Sequence, residues 1–188
     1  MNEYDNKLKV KDALQIYFSK YHFANGGYDL KWFKIKLGSF YLPLPNTKGR
    51  IAAVKLHDIH HIITEYKATY QGEAEIAGWE IASGCGRFYA AWFLNAGSYF
   101  YGLFFFPKHL MYSFLRGRKV KSNLYHHTTY DEILLNKTVE EIRRQTEPDL
   151  ECKNTTWDYF AFTSYSLVIL TLYFFYFFLF YCFLRLFF

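Results

Sequence analysis

Residues Gly49 to Gly84 read GRIAAVKLHDIHHIITEYKATYQGEAEIAGWEIASG, and inside this stretch His57, Asp58 and His61 are separated by eleven residues from Glu73. As a helix from Gly49 to about Lys67, the first half puts His57 and His61 one turn apart with Asp58 beside them, all within an arc of about 100°. Ile51 and Val54 share that arc. It therefore points inward, where two imidazoles and a carboxylate are costly to bury unless something positive holds them together. Tyr70-Gln71-Gly72 reads as a turn, after which a second apolar-periodic helix starts at Glu73 and runs through Ile76, Ala77 and Ile81 to Gly84. Folded back on the first helix, it delivers Glu73 to the same point. Two nitrogens and two carboxylates suit zinc, iron(II) or manganese better than an ion that prefers thiolates. A divalent metal held by His57, Asp58, His61 and Glu73 is the expectation, and a solvated histidine-rich helix face without an ion is its plain competitor. His60 lies at about 300° on the same wheel and is left out of the set. Glu80, nearly in line with Glu73 two turns on, reads as a solvated helix residue rather than a base.

The i, i+4 histidine spacing is also that of the His-Glu-x-x-His zincins, but Asp58 stands where their general base would be and no third ligand follows at zincin spacing. The pattern of His57, Asp58, His61 and Glu73 instead resembles the motif of the Coq-four family of ubiquinone (coenzyme Q) biosynthesis proteins. Gly72-Glu73 with Ala74-Glu75-Ile76-Ala77, then Arg116-Gly117-Arg118, then Tyr130 to Leu134 and Thr138 to Arg143, resemble further elements of that family in its order. The resemblance covers about residues 40 to 145. It implies a compact all-α domain peripheral to a membrane, with zinc at the four motif positions near a quinone ring precursor and an apolar, lipid-lined channel for a long isoprenoid tail. It also implies association with other quinone-biosynthesis enzymes and oxidative decarboxylation of the ring. Thr64-Glu65-Tyr66 departs from the glycine that usually precedes the family's tyrosine, and the tail beyond Cys152 has no counterpart there.

That tail decides the organisation of the rest. Of the 188 residues, 23% are aromatic, with 21 Phe and 18 Tyr, and from Tyr159 to Leu184 no residue is charged. At about 1.5 Å per residue such a helix crosses a hydrocarbon core of about 30 Å with some tilt. Lys153, Trp157 and Asp158 would sit at one interface and Arg185 at the other. The division is then a helical metal- and lipid-binding domain over 1–150, a polar linker over 151–158 in a stretch that follows Pro148, and a C-terminal membrane-anchor helix over 159–184. A second uncharged run, Phe88 to Pro107, is diluted by Asn95, Ala96, Gly97, Ser98 and Gly102. It reads as a buried or membrane-embedded helix in preference to a spanning one.

Elsewhere the spacing predicts a helix from about Asn6 to Lys20, and an irregular stretch through Gly26-Gly27, Gly38 and Pro43 to Pro45. It then predicts a helix from about Thr47, capped by Asn46 or Thr47. Pro107 restarts a helix to about Arg116, a short helix lies near Tyr130, and Thr138 with Glu141 forms a capping box. Tyr28 to Leu37 alternates like a strand, with no evident partner.

The formal net charge is +5, and Lys108, Arg116, Arg118, Lys119 and Lys121 cluster without an intervening acid. Beside membrane-seeking aromatics this fits anionic lipid head groups, at about 1 kcal/mol per basic residue, and it obeys the positive-inside rule. Arg116 and Arg118 can also clamp the phosphate or carboxylate of a lipid-like substrate. Nucleic acid is excluded as a partner for want of a recognition motif or a basic stripe. Cys85, Cys152 and Cys182 encode no disulfide framework, and the N-terminus resembles neither a secretory signal nor a transit peptide. A tail-anchored or peripheral membrane protein facing the cytoplasm is expected.

Two functions fit. One is a metal-dependent enzyme acting on a prenylated aromatic, with no catalytic residue assignable beyond the ligands. The other is a non-catalytic isoprenoid-binding scaffold whose ion is structural. Four protein ligands closing a tetrahedron favour the scaffold, whereas three with an open position favour the enzyme. Zinc cannot exchange electrons, so an oxidative reaction needs iron, oxygen or a redox partner.

Overall fold

The computed structural model describes residues 3–37, 40–146 and 153–187. The expected helical class holds: nine helices and one hairpin account for the regular structure of the described residues. Helix α1 (Val10–Tyr21) is followed by β1 (Trp32–Leu37) and β2 (Phe40–Pro45), then by α2 (Lys48–Thr64), α3 (Tyr70–Ser83), α4 (Tyr89–Phe105) and α5 (Pro107–Arg118). Short helices α6 (Leu124–His127) and α7 (Glu132–Asn136) lead to α8 (Val139–Thr146), and α9 (Thr156–Phe187) ends the chain.

Local chemistry sets most boundaries. Thr47 caps α2 by accepting the Arg50 N–H at 3.2 Å, and Thr138 forms the expected box, accepting from Glu141 N at 3.2 Å while the Glu141 carboxylate takes the Thr138 N–H at 2.6 Å. The α3 boundary is a correction. Thr69 accepts the Gly72 N–H at 3.2 Å, so Tyr70-Gln71-Gly72 is the first turn of α3 and not a turn ahead of it. A Cβ on Gly72 would lie 1.8 Å from the Lys67 carbonyl oxygen, so glycine is what lets the α2–α3 connection lie against the helix it leads into. Helix α1 starts later than expected because Lys9 pairs with Thr138 as an isolated bridge and is held extended there, after a turn closed by the Leu8 N–H on the Asp5 carbonyl. The strand that lacked a partner has one: β1 and β2 pair antiparallel, Trp32 opposite Pro45 and Leu37 opposite Phe40.

Helix α3 is the hub. A Cβ on Gly78 would sit 2.9 Å from the Leu110 carbonyl, and one on Gly117 would sit 2.4 Å from the Trp79 carbonyl, so α3 and α5 touch backbone to backbone. Helix α4 buries Asn95, Tyr99 and Gly102 toward α3 and α5, places Ala91 in the cluster of α1 and α2, and leaves Tyr89, Phe93, Phe104 and Phe105 exposed. One apolar cluster joins α1 and α2 to α6, α7 and α8, while a second joins α3, α4, α5 and α9. Helix α9 starts at Thr156, so Trp157 and Asp158 belong to its first turn; Asp158 caps it by accepting the Thr155 N–H at 2.8 Å. Residues 147–152, with Pro148, Cys152 and the start of the expected linker, lie outside the described residues, as does Gly38.

Candidate metal centre

The second half of α2 and the start of α3 lie side by side, and three of the four expected ligands meet between them. His57 Nε2 and His61 Nε2 are 3.1 Å apart. Glu73 places one carboxylate oxygen 3.6 Å from His57 Nε2 and the other 3.3 Å from His61 Nε2. With metal–ligand bonds of about 2.0–2.1 Å, neighbouring donors of a tetrahedral ion stand about 3.3 Å apart. The two nitrogens and the Glu73 carboxylate thus approach the spacing of neighbouring donors around one ion, with each imidazole facing a different carboxylate oxygen. His57, His61 and Glu73 form a group whose donor atoms all lie within 4.8 Å of one another, able to hold a metal ion.

The partners of the imidazoles fix which nitrogen is free. His61 Nδ1 donates to the Tyr66 carbonyl at 2.8 Å, and the Tyr17 ring stacks on its face at 5.5 Å. His57 Nδ1 donates to Glu80 at 3.0 Å. Both rings thus aim Nε2 at Glu73, the arrangement by which outer partners orient metal-binding histidines. Burial alone would lower the His57 pKa, but the Glu80 and Glu73 carboxylates raise it well above the ordinary value. Burial alone would raise Glu73 and Glu80, but the imidazoles, His61 and His57 foremost, hold both carboxyls well below the usual range. A cation at this point replaces the proton of His57 Nε2 against two standing carboxylates.

Asp58 lies outside this group. It is buried, and its Oδ2 accepts from the Tyr28 hydroxyl at 2.5 Å. Burial pushes its carboxyl up to about 6, against the pull of His57. Arg116 and Arg118 do not reach the triangle. Arg116 donates to the Thr64 carbonyl at 3.1 Å with its guanidinium 5.4 Å from the Tyr66 ring, and Arg118 pairs with Asp158 of α9 at 3.2 Å.

Two residues set aside by the sequence reading belong to the centre's surroundings. Glu80 is 0% exposed rather than solvated. His60 is equally buried: its Nδ1 donates to Glu80 at 2.6 Å and its Nε2 accepts the Leu124 N–H at 3.2 Å. Burial lowers the His60 pKa, so this ring stays neutral with both nitrogens paired. The site opens to solvent on one side, since the side chain of His61 is 1% exposed, that of His57 18% and that of Glu73 38%. On α3 one turn before Glu73, Tyr70 lies 5.8 Å from the Tyr101 ring of α4, which stacks on Phe105 at 4.5 Å. No protein-family model, no curated protein and no solved structure matches this chain.

Proposed function

We propose that this protein is a membrane-tethered metal enzyme acting on a prenylated aromatic, a quinone precursor of the kind handled by the Coq-four family its motif resembles. The observation that carries the reading is the three-donor triangle of His57, His61 and Glu73, with Asp58 turned away to Tyr28 and the Glu73 side open. Three protein donors leave a coordination position for water or substrate, whereas a structural ion would call for a fourth protein ligand. The non-catalytic scaffold is disfavoured for that reason. Two histidines and a carboxylate suit zinc first, with iron(II) and manganese as alternatives. When bound there, the ion supplies a Lewis acid for a ring carboxylate or phenol; ring decarboxylation by an oxidative route needs iron or dioxygen in addition.

The chain's own residues do the rest. Glu73 and His57 present the open edge, and the aromatic ladder of Tyr70, Tyr101 and Phe105 beside it offers a ring or prenyl tail its apolar surroundings. Lys108, Lys119 and Lys121, with Arg118 and Arg116, supply positive charge for the polar head of the substrate and for anionic lipid on the cytoplasmic side. Helix α9 ties the domain to that membrane.

The test is to purify the full chain in detergent and measure its metal by plasma mass spectrometry and its co-extracted lipid by mass spectrometry. One equivalent of a divalent metal together with an aromatic isoprenoid supports the proposal. A protein that carries no metal and takes up none when zinc, iron(II) or manganese is supplied ends it.

A further inference from the structure

We infer that Glu80 is the positioning residue of this centre, a carboxylate that binds no ion itself but fixes the donor nitrogen of His57. This rests on the metal reading above. Glu80 follows Glu73 by two turns of α3, and its side chain is 0% exposed. A buried carboxylate is expensive unless its lone pairs are filled, and here they are. His57 Nδ1 lies 3.0 Å and His60 Nδ1 2.6 Å from Oε1. The Tyr125 hydroxyl is 3.2 and 3.1 Å from the two oxygens, and Asn95 donates to Oε2 at 2.5 Å. Donors from α2, α4 and α6 thus converge on one carboxylate of α3.

The position of His57 says what this convergence does. Its ring is held between two carboxylates of the same helix, Nδ1 against Glu80 and Nε2 against Glu73. The inner contact sets the ring plane, keeps the Nδ1 proton and leaves Nε2 as a more basic donor. His60, Tyr125 and Asn95 hold Glu80 from its other sides, which stops it from swinging toward the ion. His60 thereby acts on the centre at one remove, as a partner of Glu80.

The experiment uses the full chain in detergent, stripped with chelator and titrated with zinc against a chromophoric competitor, with cobalt(II) as a spectroscopic stand-in. Glu80→Gln keeps the shape but removes the charge, and zinc affinity should fall about 10–100-fold, the usual effect of losing an outer partner, with a displaced cobalt absorption band. Tyr125→Phe removes one of the donors that hold Glu80 and should give a smaller loss in the same direction. In the zinc-loaded wild type, ring nitrogen NMR should show His57 protonated at Nδ1 and bound through Nε2. Variants that keep their helical circular dichroism and bind zinc as tightly as wild type, with unchanged cobalt spectra, overturn the inference. So does a His57 ring bound through Nδ1, a measurement that holds even if Glu80→Gln fails to fold. A wild type that binds neither ion overturns the metal reading itself, an outcome distinct from these.

Discussion

Asp58 sits next to His57 in the chain and yet gives its oxygen to Tyr28, because a buried carboxylate takes the nearest good donor and the Tyr28 hydroxyl is 2.5 Å away. The residues of the centre should accordingly separate in metal analysis. His57→Ala, His61→Ala and Glu73→Ala each remove a donor and should lose zinc affinity by more than the about 100-fold that marks an outer partner. Asp58→Asn should keep one equivalent of metal, and loss of the ion in that variant would return Asp58 to the ligand set. The centre should also be pH-sensitive in a defined direction. The Glu80 and Glu73 carboxylates raise His57 well above its ordinary pKa although burial opposes them, so near neutrality an entering ion must displace a proton. Affinity should fall about tenfold for each pH unit below that raised pKa and level off above it; an affinity that does not weaken as the pH is lowered would contradict the displacement. The helical wheel made His57 and His61 legible from sequence, and the fold-back of a second apolar-periodic helix made Glu73 so, while the same wheel also offered Asp58, which the group leaves out. The wheel also sets His60 outside the ligand group, as it is, yet 300° on the wheel is only about 60° from His57 on the opposite side from His61, which lets His60 reach Glu80 beside it. Glu80 carried a mark too, nearly in line with Glu73 two turns on, but its burial depends on Tyr125 and Asn95, which arrive from other helices, so it read as solvated.

Helix α2 shows how much of an element's end is set by distant residues. Its last four carbonyls have no partner within the helix. The Glu65 N–H takes His61 O at 2.9 Å, Arg143 of α8 takes Ile62 O and Ile63 O at 3.2 and 3.3 Å, and Arg116 of α5 takes Thr64 O at 3.1 Å. Arg143 is itself paired with Glu65 at 2.6 Å, and two guanidinium groups at a helix C-terminus also suit its dipole. This accounting shows a role for Arg116 in the fold that its place in a basic cluster did not suggest. Arg143→Ala should cost about 2–3 kcal/mol, lowering the melting temperature seen by circular dichroism by about 5–10 °C for a chain of this size. Arg143→Lys should recover little, since an ammonium cannot fork to two carbonyls; full recovery by lysine would mean that charge alone mattered. Gly72→Ala drives a Cβ into the Lys67 carbonyl and should shift the first turn of α3, and Glu73 with it, so metal binding should suffer before helix content does. The caps at Thr47 and Thr138 were legible because box and cap chemistry is local. The C-terminal cap of α2 was not, since Arg143 lies 80 residues beyond Ile63. The β1–β2 pair was half legible: alternation marked β1, but the two prolines of β2 disguised the partner.

Across the whole molecule, α9 is the helix long and apolar enough, among the described residues, to cross a membrane, and only 6% of its most apolar window is buried. A core helix of a soluble protein would be mostly covered. The domain holds α9 along a single edge, where Ser166 meets the Tyr99 hydroxyl at 3.0 Å, Phe162 packs on Phe114 at 5.4 Å and Tyr173 stacks on Phe100 at 4.5 Å. Beyond Tyr173 the side chains Phe174 to Tyr181 are exposed. The Arg118–Asp158 pair at the start of the helix is partly solvated and adds at most about 1 kcal/mol, so apolar contact fixes the seat. The absence of charge made the helix legible in the sequence, whereas its docked edge was hidden by the lack of any polar stripe to mark the other faces. The consequence is that α9 and the domain are one packed body, not a domain on a loose leash. Full-length protein should remain with the membrane after alkaline carbonate extraction and float with lipid on a density gradient, and a chain stopped after Thr155 should no longer float. The shortened chain should pay for that loss: Tyr99 and Phe114, both 0% exposed with α9 in place, lose their cover, so it should melt lower and need detergent to stay dispersed. A full-length chain freed by carbonate would refute the spanning helix, and a shortened chain as stable and soluble without detergent as the parent would refute the packed seat.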